Sequence, residues 1–253
     1  MDNMFSLEGK VALITGASKG LGEAIARTYA RAGATVIVNS RKQEAVDEVA
    51  QSIFTEGGKA FALAAQVGNI AECHHIFEKA MEMCGRIDIL VNNAATNPVF
   101  GPVEETDERA FNKIMDVNVK APFELAKLCL TSMKKNGSGA IINISSIGGV
   151  SPEKGLGIYS VSKAALISLT KVMAAEWGQY NVRANVICPG LIQTKFSQAL
   201  WANEKILKHI LKDLPLSRMG QPEEIAGLAL FLASQASAYC TGSVFTADGG
   251  YLI

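Results

Sequence analysis

The chain has 253 residues, of which 49% are apolar, 7% aromatic and 19% charged. Half-apolar composition with only 7 Pro excludes a disordered chain, and 23 Gly without a period exclude a collagen-like one. The 24 Lys and Arg balance 24 Asp and Glu with no basic stripe, which argues against a nucleic-acid partner and leaves little solubility reserve outside an oligomer.

The start, Met1-Asp2-Asn3-Met4-Phe5, is acidic where a secretory signal is basic, so no signal peptide is read. The apolar stretch Ile225–Ala233 is too short to cross a bilayer. A cytoplasmic protein with no membrane partner is the expectation. Cys73, Cys84, Cys129, Cys188 and Cys240 stand far apart, and only His74, His75 and His209 accompany them. Metal ligands cluster, so no metal site is expected.

Along the chain, short apolar runs alternate with longer segments of helical spacing. The runs are Val11–Ile14, Thr35–Val38, Ala60–Ala64, Ile89–Val91, Ala140–Ile144, Val182–Ile187 and Val244–Thr246. Uniform apolarity in such short runs predicts strands buried on both faces of a parallel sheet. Leu21–Ala32, Gln43–Glu56, Ile70–Cys84, Glu108–Lys135 and Ile158–Gly178 are long enough to be crossover helices. The expected fold is a doubly wound α/β sheet of Rossmann type, one domain over residues 1–253, with its site at the carboxyl ends of the strands.

The first run ends in Thr15-Gly16-Ala17-Ser18-Lys19-Gly20-Leu21-Gly22 and passes at once into a helical pattern. Glycines there allow positive φ and close approach of a ligand, while the helix start offers free N–H groups and a positive dipole end. That combination makes a pyrophosphate cradle. The bland alternative is a Gly-rich turn that holds nothing.

After the second run stands Asn39-Ser40-Arg41-Lys42, with no carboxylate to hold ribose hydroxyls. Arg41, with Lys19 from the loop, could clamp a 2′-phosphate instead. This points to NADP(H); otherwise both are ordinary solvated charges.

Tyr159 and Lys163 are four residues apart and share a helix face. An ordinary Tyr ionises near about pH 10, and a neighbouring ammonium together with an oxidised nicotinamide ring is expected to lower that value. Ser146, at the end of the fifth run, could donate to a substrate carbonyl beside the Tyr. Alone, a Tyr-x-x-x-Lys pair is also what an exposed helix face produces by accident.

Thr15-Gly-Ala-Ser-Lys-Gly-Leu-Gly22, Asn92-Asn93-Ala94-Ala95, Asn118, Ser146, Tyr159-x-x-x-Lys163 and Pro189-Gly190 follow in order over the whole chain. Together they resemble the short-chain dehydrogenases/reductases. The resemblance implies seven parallel strands, NAD(P)(H) as cosubstrate and commonly a homotetramer. It implies that Tyr159 is the acid/base, Ser146 polarises the substrate oxygen, Lys163 holds ribose hydroxyls, and Asn118 bends its helix and holds a relay water. It places Gly16, Ser18, Lys19, Gly20, Leu21, Gly22, Ser40, Arg41, Gln66, Val67, Asn93, Ala94, Tyr159, Lys163, Pro189, Gly190, Ile192 and Thr194 around the dinucleotide. Asn93 would sit against the adenosine ribose, with Ile192 and Thr194 at the carboxamide. Apart from the resemblance, Asn92-Asn93 reads as a polar loop.

Two departures stand out. Gln66-Val67 replaces the family's Asp-Val, although Gln can still accept the adenine amine's hydrogen bond. Ala95 adds a methyl where Gly is common. Leu191–Asp213, with Phe196, Leu200, Trp201, Ile206 and Leu207, reads as an apolar lid over a hydrophobic carbonyl or alcohol substrate, or else as a surface helix. Leu191–Trp201 and Asn97–Gly101 look similar to carbonyl reductases of the peroxisomal retinal-reductase group, whose peroxisomal tripeptide the final Tyr251-Leu252-Ile253 does not match. The reading is therefore a carbonyl reductase or alcohol dehydrogenase using NADP(H). A 3-oxoacyl-thioester reductase and an idle dinucleotide-binding sensor are the alternatives.

Overall fold

The computed structural model describes residues 4–212 and 214–253. Among them seven strands form one all-parallel sheet: β1 (Val11–Thr15), β2 (Thr35–Ser40), β3 (Lys59–Ala64), β4 (Ile89–Asn92), β5 (Gly139–Ile144), β6 (Val182–Pro189) and β7 (Val244–Ala247). Their order is β3-β2-β1-β4-β5-β6-β7. The chain thus reverses direction across the sheet between β1 and β4, where doubly wound sheets open a crevice for ligands.

Alternate side chains of each strand point to opposite faces, and both faces are buried along the inner strands, while the edge strands β3 and β7 are only partly covered. Ala12 and Ile14 of β1 join one apolar cluster, with α1 (Gly20–Arg31), α2 (Gln43–Thr55) and α9 (Pro222–Ala233). Val11 and Leu13 join the other, with α3 (Ile70–Cys84), α5 (Ala121–Asn136) and α6 (Gly157–Trp177). Each fully buried Leu or Ile side chain contributes about 1.5–3 kcal/mol, which fixes strand register as well as stability. The Tyr29 hydroxyl donates to Ala229 O at 2.8 Å, tying α1 to α9.

Local signals set the helix ends. The Asn69 side chain accepts from Ala71 N at 2.9 Å, and Gly85 closes α3 in the left-handed conformation. The segment expected as one helix over Glu108–Lys135 is instead α4 (Glu108–Met115), a π turn over Asp116–Lys120 and then α5. The extra residue in the π turn swings Asn118 into the interior. Asn92, read as loop, is the last residue of β4 and is buried. Its Nδ2 donates to Asn143 Oδ1 at 2.9 Å, and Asn143 Nδ2 donates to Thr170 Oγ1 at 2.8 Å.

The helix around Gly157–Tyr180 has the length and apolarity of a membrane span, a feature that the choice of Ile225–Ala233 overlooked. Its apolarity has a simpler source, since one side packs on β6 and buries Leu166, Met173 and Ala174. The expected lid folds as two short helices, α7 (Gln198–Trp201) and α8 (Glu204–Lys212). The side chains of Leu200 and Ile206, and all of Asp213, lie outside the described residues.

Candidate active site

The glycine loop between β1 and α1 is built to leave no room for side chains. Gly16 has φ +65°, and a Cβ there would stand 2.9 Å from Ala94 Cα. A Cβ on Gly22 would stand 2.5 Å from Asn93 Nδ2. Gly20 has φ +59° and faces Thr194, whose Cγ2 would be 3.4 Å from an added Cβ. The loop after β6 therefore closes over the glycine loop. Lys19 caps α1 without a side-chain hydrogen bond, so the helix start keeps its amides for a ligand.

Thr15, which sequence reading passed over, is the hub of this corner. Its Oγ1 accepts from Asn93 N and Ala94 N, both at 3.1 Å, and donates to Val91 O at 3.4 Å. Asn93 Nδ2 donates to Thr15 O and Gly16 O, each at 3.0 Å. The amide group expected against a ribose thus spends its donors holding the loop. A buried Thr ending an apolar strand was the available signal.

At the end of β2, Ser18 Oγ donates to Ser40 Oγ at 3.0 Å. Arg41 and Lys19 are exposed, and among the described residues neither has an acidic partner. Gln66 is exposed beyond β3, whereas Val67 is buried and its carbonyl accepts from Cys73 Sγ at 3.2 Å. Pro189 ends β6, and Gly190 lies against Asp248, where a Cβ would come within 2.7 Å of its Cα. Ile192 is buried and bridges to Gly220.

The polar centre lies at the carboxyl ends of β5 and β6. Ser146 caps a 3₁₀ turn over Ile147–Gly149, its Oγ accepting from Gly148 N at 3.1 Å. Gly149 lets that turn press on α6, since a Cβ would stand 2.7 Å from the Lys163 carbonyl carbon. Ser145 Oγ donates to Lys163 O at 2.9 Å, fixing the same junction. Tyr159 is buried, its ring centroid 6.1 Å from that of Phe196 in the lid. Asn118 accepts from Thr96 N at 2.9 Å and donates from Nδ2 to Thr96 O and Ser162 Oγ, both at 3.0 Å. Ser162 Oγ in turn donates to Tyr159 O at 2.7 Å.

The protein's own groups set the starting state of the phenol. Burial pushes the Tyr159 hydroxyl up to about 12, and the Ser146 hydroxyl bonded to it lowers it only in part. Lys163 does not bring it down. Its own burial presses the ammonium down to about 8, and Nζ donates to Ile144 O at 2.8 Å while standing 5.6 Å from the Tyr ring centroid. Two ionisable groups withdrawn from water both shift toward neutrality. Cys188 at the end of β6 joins them, buried and with its thiol held up by the same desolvation.

A parallel sheet with a glycine cradle at its switch point, and buried Tyr159 and Lys163 with Ser146 two to three strands across, defines a Rossmann-type oxidoreductase. A family model described as enoyl-(acyl carrier protein) reductase matches residues 16–252. Dehydrogenase/reductase SDR family member 4 of Oryctolagus cuniculus is 41% identical over 244 residues, covering 96% of this chain and 94% of that protein. A gluconate 5-dehydrogenase from Burkholderia cenocepacia, solved with NADP and tartrate, superposes with a TM-score of 0.94 at 33% identity, covering 98% of this chain and 97% of the other. A 7α-hydroxysteroid dehydrogenase, solved with NADH and 7-oxo glycochenodeoxycholic acid, gives 0.95 at 36% identity over 99% and 98%. The chain belongs to the short-chain dehydrogenase/reductase family.

Proposed function

We propose that this protein interconverts a ketone or aldehyde with its alcohol using NADP(H), with Tyr159 as the acid/base. The observation that carries the reading is the buried Tyr159, with the Ser146 hydroxyl acting on its phenol and Lys163 one turn along the same helix, at the edge of the sheet that also carries the glycine cradle. The bound dinucleotide supplies or accepts the hydride.

The chain's own residues do the rest. A phenol held up near 12 is fully protonated at neutral pH, so it is poised to give its proton to a carbonyl oxygen as that oxygen becomes an alcohol. Ser146 donates to the same oxygen and fixes it beside the phenol. Lys163 and Asn118 hold the helix and the π turn around them and would engage ribose hydroxyls and a relay water. Phe196, itself largely exposed, stands at the mouth of the site with its ring centroid 6.1 Å from that of Tyr159.

The cradle fits a dinucleotide. Gly16 and Gly22 let the loop pack closely on Asn93 and Ala94, Gly20 takes up φ +59°, and the start of α1 offers open amides to a pyrophosphate. Pro189, Gly190, Ile192 and Thr194 border its far end, and Ser18, Ser40, Gln66, Val67, Asn93 and Ala94 its adenosine end. Arg41 and Lys19, free of acidic partners, suit a 2′-phosphate, where a carboxylate at position 40 would repel one. The apolar lid favours a hydrophobic substrate, as in the peroxisomal retinal-reductase group that this chain resembles.

Loss of NADPH absorbance is the assay, run with retinal, aromatic ketones, diketones, sugars, an acetoacetyl thioester and an enoyl thioester. Turnover of a simple ketone or aldehyde is expected. Preference for the acetoacetyl thioester would replace this reading by fatty-acid chemistry. Reduction of the enoyl thioester alone would follow the family model's description. No turnover on any member would leave a dinucleotide-binding sensor.

A further inference from the structure

The chain after β6 folds back on itself over the site. Thr194 lies on the glycine cradle, its Cγ2 3.4 Å from where a Gly20 Cβ would be. Two residues on, the Phe196 ring stands 6.1 Å from the Tyr159 ring, centroid to centroid, tilted by 38°. Five residues further, the Trp201 indole N–H donates back to the Thr194 carbonyl oxygen at 3.0 Å. That bond closes residues 194–201 into a loop that carries Phe196. Ser197 crosses the loop, its Oγ accepting from Thr194 N at 3.2 Å and donating to Ile192 O.

Packing does little to hold this segment. Among the described residues, α7 and α8 lie mainly against each other and not on the sheet or its other helices. Helix α7 is a single turn, too short to persist alone. Phe196 is 59% exposed, so no apolar neighbours enclose its ring. An exposed ring at a fixed distance from the phenol offers an apolar face to whatever the phenol protonates. The indole N–H is the tether that fixes where this face stands.

We propose that Trp201 is a positioning residue: by tethering Thr194 it holds the Phe196 ring as one wall of the substrate site, which selects ketones carrying a flat apolar group next to the carbonyl. The proposal rests on the carbonyl–alcohol reading and names the substrate class of that site. A ring held in place meets an aromatic substrate group with its full contact area, whereas a ring that swings must first be ordered by the substrate. A ketone too small to reach the ring gains nothing from the tether.

The test compares acetophenone with 2-butanone in the wild type, Trp201→Phe, Phe196→Ala and the double variant. Trp201→Phe keeps an aromatic side chain and deletes the N–H donor. The ratio of kcat/KM for acetophenone to that for 2-butanone is the readout, because a general loss of folded protein cancels in it. Phe196→Ala should lower the ratio by about tenfold. Trp201→Phe should lower it by about two- to tenfold, the scale of one hydrogen bond. The double variant should match Phe196→Ala alone, since without the ring the tether has nothing to hold. An unchanged ratio in Trp201→Phe, or two losses that multiply in the double variant, overturns the proposal.

Amide hydrogen exchange over residues 194–203 needs no turnover. In Trp201→Phe it should quicken by about two- to tenfold, while residues 16–22 of the cradle exchange as in the wild type. Unchanged exchange over 194–203 also overturns the proposal. If the wild type reduces neither ketone, the carbonyl–alcohol reading fails for these substrates, and the exchange result alone decides whether Trp201 tethers the loop. Melting temperatures show whether Trp201→Phe is folded. Should it be unfolded, Trp201→Leu carries the same comparison.

Discussion

The two halves of the site are built on different principles. The nucleotide half, at the ends of β1 and β2, is defined by backbone: glycines that no Cβ could replace, open amides at the start of α1, and exposed cations at its rim. The catalytic half, at the ends of β5 and β6, is defined by buried side chains: Tyr159, Lys163 and Cys188, all shifted toward neutrality by desolvation. One half recognises charge in a wet setting, where any single contact is worth little. The other handles a proton in a dry one, where a single group decides the rate. Substitutions should therefore divide cleanly, with affinity lost in the first half and turnover lost in the second.

The largest effect is expected for Tyr159→Phe. Removing the phenol oxygen leaves the ring against Phe196 and takes away the proton donor, so turnover should fall by about 10²–10⁴. NADPH affinity, read from the cofactor's own fluorescence, should stay near that of the wild type. A loss of affinity equal to the loss of turnover would mean that the halves are not separable.

A smaller effect is expected at the rim. Each charge-assisted contact to a 2′-phosphate is worth about 1.5–3 kcal/mol at best, and less where water screens it, as it does at exposed Arg41 and Lys19. Together they should give NADPH a preference over NADH of about ten- to a thousandfold. The double substitution Ser40→Asp with Arg41→Ala should reverse that preference through cofactor KM, with kcat nearly unchanged. Equal use of NADH and NADPH by the unmodified enzyme would make Arg41 an idle surface charge.

The same contrast explains what the sequence made legible. All seven strands could be read, because a strand buried on both faces writes itself as an apolar run. Helix α3 was readable at both ends, since Asn69 and Gly85 are local signals. The π turn was foreseen only through the family resemblance, which implies a bend at Asn118; no local pattern marks it, and the Asn118 side chain bonds to Thr96, 22 residues away. In the nucleotide half, glycine spacing carried the reading, and only the role of Asn93 as a brace for the loop was hidden. In the catalytic half the residue types were visible but their state was not. Sequence pairs Tyr159 with Lys163 and, with an oxidised nicotinamide ring, expects a lowered phenol, whereas burial in the protein by itself raises it. Burial is a property of the fold, and no four-residue spacing reports it.

The central claim is that a buried, protonated Tyr159 gives and takes the proton. Rates in both directions for one ketone–alcohol pair, measured between about pH 6 and 10, test it most directly. Reduction needs the phenol protonated, and a value held up near 12 keeps it so across this range. Oxidation needs it deprotonated, so the oxidative kcat/KM should climb steadily with pH and not level off early, while the reductive value stays flat. An oxidative rate already level from neutral pH upward, or a reductive rate that falls away above pH about 7, would contradict the account.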